Sequence, residues 1–167
     1  MTDSKTLILN SKEVDQKVKR IAHQILEQYH LEKNILFAGI SKNGFLLTKK
    51  IQKEIKDHSN IAVEIIEILI NKNQPLSEKI ILQPDIDLSG KTVILIDDVL
   101  NSGKTLMYAA GHIVNKGVKQ MNTIVLIDRR HRKFPIKADW VGLTLSTTLL
   151  EHIAVEFNKN KIEVFLH

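Results

Sequence analysis

Two rhythms of apolar residues run along this chain. Val14, Val18, Ile21, Ala22, Ile25 and Leu26 return at steps of three and four, which predicts an amphipathic helix N-capped by Ser11. Leu46, Leu47, Ile51 and Ile55 predict a second helix, and the run from Leu106 to Lys116 a third, closed by Gly117. Between these lie short continuous apolar runs suited to buried strands: Asn34–Ile40, the β-branched stretch Ile61–Ile70, Thr92–Asp97 and Asn122–Asp128. Trp140–Leu145 and Lys161–Leu166 predict the last strands, with a weaker segment between them. Lys79–Gln83 fits a short edge strand stopped by Pro84, and the polar stretch Asn71–Ser77, which holds Pro75, fits a loop.

Strands alternating with helices imply one α/β domain over residues 1–167, with a mainly parallel central sheet flanked by helices. Ligands of such sheets bind in the crevice beyond the carboxyl ends of the strands. Ser41–Gly44, Asn71–Ser77, Asp97–Thr105 and Asp128–Lys137 fall at those ends, so they map one expected site. The 43% hydrophobic content supports an ordered core, and no apolar run is long enough to span a bilayer. The absence of Cys excludes disulfides and thiolate metal sites and fits a cytoplasmic protein. A formal charge of +5 would favour a polyanionic metabolite or RNA without choosing between them.

The chemistry concentrates in Thr92-Val-Ile-Leu-Ile-Asp-Asp-Val-Leu-Asn-Ser-Gly-Lys-Thr105. A strand, a loop and a helix in succession aim free N–H groups and the positive end of a helix dipole at an anion. Gly103-Lys104-Thr105 invites comparison with the nucleoside-triphosphate P-loop, which requires a glycine five residues before Gly103. Asp98 occupies that position, so a P-loop is excluded. Two adjacent carboxylates beside a phosphate site call for hydroxyls or a metal between them and the anion, as in a ribose 5′-phosphate.

The stretch Ile94–Thr105 resembles the phosphoribosyl diphosphate signature of type I phosphoribosyltransferases. The resemblance is strongest to the PyrR group, which joins a pyrimidine-operon attenuation regulator to a uracil phosphoribosyltransferase. Arg20-Ile-Ala-His-Gln24, Val125–Lys137 and Ala138-Asp-Trp-Val-Gly142 follow that group in order and approximate spacing. The resemblance implies that Asp97 and Asp98 hold the ribose hydroxyls and serve catalysis. It implies that Asn101, Ser102, Gly103, Lys104 and Thr105 cradle the 5′-phosphate, and that Ser41, Lys42, Asn43 and Gly44 form the diphosphate loop. Trp140 and Val141 match base-binding positions, while Arg20, His23, His131, Arg132 and Lys137 match or adjoin RNA-facing ones. Mg²⁺ is implied as a cofactor held through the substrate rather than by direct protein ligands. A homo-oligomer, a dimer or larger, is also implied.

Residue by residue, the chain departs from this pattern in several places. Asn43 stands where the family carries Arg, and Lys42 offers only a point charge in compensation. The segment 71–77 is shorter than the family's mobile lid, and neither Tyr nor Arg occurs between Ile70 and Lys91. Arg130 replaces a Gly and Lys133 a Glu, and Leu143–Thr147 differs from the usual sequence. The expected activity is phosphoribosyl transfer to a nucleobase, foremost uracil. The alternatives are an RNA-binding regulator with weak or no catalysis and a purine phosphoribosyltransferase.

Overall fold

The computed structural model describes residues 5–167. Its chain order is β1 (Thr6–Leu9), α1 (Ser11–Gln28), β2 (Asn34–Ile40), α2 (Asn43–His58), β3 (Ala62–Leu69), β4 (Ile81–Gln83), β5 (Thr92–Leu100), α3 (Lys104–Val114), β6 (Gln120–Asp128), β7 (Trp140–Thr144), β8 (Ile153–Asn158) and β9 (Lys161–Leu166). Six strands form the central sheet in the order β4-β3-β2-β5-β6-β7. All neighbours in it are parallel except β3 and β4. The short antiparallel strand at the edge ends at the cis Gln83–Pro84 bond, as expected where proline removes a ladder donor.

Alternate residues of each central strand feed opposite cores. Ile35, Phe37, Ile94 and Ile96 pack with Val18, Ile21 and Ile25 of α1 and Leu47 and Ile51 of α2. Leu36, Ala38, Val93 and Leu95 face the other way, toward Leu106, Ala109 and Ile113 of α3. Burial on both faces explains why these strands read as continuous apolar runs instead of alternating ones.

Several boundaries differ from the sequence reading for local reasons. The N-cap of α1 is Asn10, not Ser11. The Asn10 side chain accepts from the Glu13 amide at 3.0 Å, and the Glu13 carboxylate accepts from the Asn10 amide at 2.8 Å. This reciprocal box requires Glu three residues after the cap, a spacing that Asn10 satisfies and Ser11, followed by Val14, does not. β5 continues through Leu100, so the acidic pair lies within the strand rather than at its end. Lys161–Leu166 is a strand, but it belongs to a separate antiparallel sheet ordered β1-β9-β8. In that sheet β1 was not foreseen, and β8 is the weaker segment.

Candidate active site

The site begins on β5, the strand between β2 and β6, where Asp97 and Asp98 are only 4% and 8% exposed. Each carboxylate is met by groups from other elements. Asp97 Oδ1 accepts from the Asp98 amide at 2.9 Å and from Lys72 Nζ at 3.2 Å. Lys72 also lies 3.8 Å from Asp98 Oδ1. Asn43 Nδ2, at the start of α2, donates to Asp98 Oδ2 at 2.9 Å and to the Val155 carbonyl at 3.2 Å. Burial raises the Asp97 carboxyl to about 8, reinforced by Asp98 and opposed by Lys72. For Lys72, burial pulls the ammonium downward, but Asp97 and Asp98 outweigh it and the net shift is upward.

After β5 the chain turns through Asn101 and Ser102 to Gly103, the N-cap of α3, at φ 84° and ψ 0°. A side chain there would be strained by the left-handed backbone, and its Cβ would come within 2.8 Å of Ile136. Gly103 has no side chain to cap the helix; the Lys104 amide donates to Ser102 Oγ at 3.3 Å, and the first turn of α3 lines the cavity. Gly44 serves close approach on the other side: a Cβ there would lie 2.7 Å from the Ile96 carbonyl. It lets the start of α2 sit directly on β5, and this seats Asn43 against Asp98.

These groups surround one open cavity of about 440 Å³. Asn43, Lys72, Asp97, Asp98 and the whole of Asn101–Thr105 line it, so three of the four predicted loops converge there directly. Arg129 brings in the fourth, and His152–Val155 at the start of β8 completes the wall. Sequence reading missed Lys72, His152–Val155 and a site role for Arg129. The loop Asn71–Ser77 was placed at the site by its position beyond a parallel strand, without marking Lys72 within it, and the contribution of β8 depends on a second sheet. Arg129 is 5% exposed, and its guanidinium donates to Thr147 Oγ1, at 3.0 Å from Nε and 2.9 Å from Nη2, and to the Glu151 carbonyl at 2.6 Å. It thereby fixes the β7–β8 connection beside the cavity.

Other predicted residues lie elsewhere. The Ser41–Lys42 peptide bond is cis, and of the Ser41–Gly44 turn only Asn43 lines the cavity. Trp140 is buried in the α1-side core, edge-on to Tyr29 with ring centroids 6.2 Å apart, and neither it nor Val141 lines the cavity. Arg20 donates to the Val141 and Gly142 carbonyls at 2.7 and 2.8 Å, covering the edge strand β7. His131 Nε2 lies 2.7 Å from the Thr147 carbonyl. Arg132 donates to the Asn101 carbonyl at 2.8 Å and pairs with Asp128 at 2.5 Å, tying the basic loop to the phosphate loop. His23 and Lys137 are exposed, His23 lying edge-on to His58 at 5.3 Å.

An acidic pair and a helix N-terminus share this cavity, and comparison with known proteins supplies its lineage. Residues 4–159 match the phosphoribosyl transferase domain. The chain belongs to the phosphoribosyltransferase family. It is 30% identical to the bifunctional protein PyrR of Haemophilus ducreyi, over 89% of this chain and 88% of that one. With the bifunctional protein PyrR of Clostridium kluyveri it shares 32% identity over 96% and 97% of the two chains. In fold it is similar to the hypoxanthine phosphoribosyltransferase of Trypanosoma cruzi, with a TM-score of 0.78, 19% identity and 95% coverage of both chains. As a phosphoribosyltransferase-family protein, it matches the resemblance first read from Ile94–Thr105.

Proposed function

We propose that this chain transfers the phosphoribosyl group of phosphoribosyl diphosphate to a ring nitrogen of a nucleobase, with uracil the foremost acceptor. The observation that carries the reading is the shared cavity of Asp97 and Asp98 with the Gly103–Thr105 turn. The two carboxylates would accept the ribose 2′- and 3′-hydroxyls while the first turn of α3 receives the 5′-phosphate. The base nitrogen would then bond to C1 and give up its proton to solvent, as the C1–oxygen bond breaks and its electron pair leaves with diphosphate. Positive charge that develops on the ribose ring would be stabilised by the buried acidic pair. Arg129, by holding the β7–β8 connection, would keep the wall opposite the phosphate loop in place.

The donor set fits magnesium held through the substrate. Among the described residues no group of three or more His, Asp or Glu side chains would hold a metal alone. Asp97 and Asp98 provide hard oxygens of the kind magnesium combines with substrate phosphates and water. When bound, the ion supplies positive charge against the leaving diphosphate.

Uracil as acceptor is supported by the relatives named bifunctional protein PyrR, whereas the hypoxanthine enzyme of T. cruzi testifies to the fold alone. The deciding assay is diphosphate release from phosphoribosyl diphosphate and Mg²⁺ with a panel of bases. Turnover is expected with uracil, and turnover with hypoxanthine alone would overturn the assignment of base. Absence of turnover with every base would leave a nucleotide-sensing regulator in its place.

That second reading, RNA binding, has support in the same relatives and in the exposed His23 and Lys137. Because Arg20, His131 and Arg132 hold the fold, the informative variant is His23→Ala with Lys137→Ala. It should weaken a salt-sensitive gel shift of pyrimidine-operon leader RNA without altering phosphoribosyl diphosphate binding.

A further inference from the structure

The acidic pair is already served by a cation of the chain's own. Lys72 Nζ sits 3.2 Å from Asp97 and 3.8 Å from Asp98, and its side chain, 41% exposed, lines the cavity. Its route fixes its place in the site. β3 and β5 flank β2, so a side chain that leaves the end of β3 and reaches β5 must pass across the carboxyl end of β2. That end is where Ser41–Gly44 begins, and the Ser41 amide donates back to the Ile68 carbonyl of β3 at 3.0 Å. Lys72 and Asn43, the latter from the turn leading into α2, therefore meet the same acidic pair from two different elements on one cavity wall.

The segment that carries Lys72 is held in that position. Asn71 Oδ1 accepts from the amides of Asn73 and Gln74 at 3.1 and 3.0 Å, which folds the start of the loop. Lys104 Nζ, from the first turn of α3, donates to the Asn73 carbonyl at 2.9 Å. One lysine on each side thus ties the loop to the phosphate loop and to β5.

We propose that Lys72 is the resident cation of the phosphoribosyl site. It offsets the acidic pair in the free protein and faces the diphosphate oxygens of the bound substrate, sharing that duty with magnesium. The proposal rests on the phosphoribosyl diphosphate reading of the cavity. Two carboxylates repel a polyanion, and an ammonium within reach of both removes much of that cost. An ammonium has three donors, so one can remain on Asp97 while another turns to a phosphate oxygen. As the C1–oxygen bond breaks, the electron pair collects on the leaving diphosphate, and the positive charge of Lys72 stabilises it there. Its part is electrostatic, with no proton transferred.

Calorimetric titration of phosphoribosyl diphosphate into the parent, Lys72→Met and Lys72→Arg, with chelator and with excess Mg²⁺, tests this. Lys72→Met should weaken binding roughly tenfold or more in chelator and much less in excess magnesium, because the ion takes over the lost charge. Lys72→Arg should follow the parent more closely than Lys72→Met does, and matching melting curves would show that all three are folded. Equal binding by parent and Lys72→Met in chelator would overturn the proposal, as would an equal loss in both conditions. Failure of the parent itself to bind in either condition would instead reject the phosphoribosyl diphosphate reading on which it rests.

Discussion

Asp97 and Asp98 are neighbours in sequence but not in duty. Asp97 Oδ1 is occupied by the Asp98 amide and Lys72, whereas Asp98 is steadied through Oδ2 by Asn43, a residue of another element. Both remain on the cavity wall, so each offers oxygen to a ligand. Asp98→Asn keeps the shape and removes the charge, and it also sets an amide opposite the Asn43 donor. Its kcat/KM for diphosphate release should fall on the order of 10²–10³, the usual loss when one preorganised electrostatic group is removed. Circular dichroism melts should show the protein still folded, since no buried apolar contact is lost. Such a pair was legible in the sequence because two carboxylates at the end of an apolar run have no role in packing. Lys72 was not: a lone lysine in a polar loop resembles any solvated surface residue until the loop is seen to fold back onto β5. Trp140 illustrates the opposite limit, since a lone aromatic beside an apolar run is placed in core or cavity only by its neighbours, here Tyr29.

At the scale of elements, periodicity located the helices and central strands because each buries a continuous stripe or both faces. It failed where an element is short or half-buried. β1 spans only Thr6–Leu9 and buries Leu9 alone, which leaves almost no pattern to detect. β8 alternates weakly and pairs with β9 in a sheet whose existence no local signal announces. The start of α1 was misread by one residue because Ser and Asn both make good caps, and the deciding partner, Glu13, lies three residues on. A direct consequence follows for Asn10→Ala. It should cost about 1 kcal/mol in urea unfolding, the typical value of a lost N-cap. Ser11→Ala, which removes no cap, should leave the midpoint nearly unchanged. The same comparison bears on the basic loop, whose density of charge suggested an external partner. In the structure Arg132 spends that charge on Asp128 and on the Asn101 carbonyl, joining two loops of the site.

For the whole molecule, the cavity lies where the central sheet, the N-terminus of α3 and the smaller antiparallel sheet meet, and this arrangement buries an acidic pair that folding alone would not favour. Its cost should be visible in the dependence of stability on pH. Asp97 has an ordinary value of 3.8 and is raised to about 8 in the fold, chiefly by burial. Between those values the folded state retains a proton that the unfolded chain has released. This contribution is fully present below the lower value, declines as pH rises between the two, and is spent above the upper one. Asp97→Asn removes the titrating group, so its unfolding free energy should lose this part of the decline toward alkaline pH. At pH 8 the variant should exceed the parent by about 1–3 kcal/mol, while its diphosphate release falls steeply. Urea unfolding of both proteins across pH 5 to about 9 checks the sign. Parallel curves would mean that the buried pair is charged in the fold as it is in the unfolded chain. A variant that is both more stable and inactive would identify the acidic pair as a position held for ligand binding at the expense of the fold.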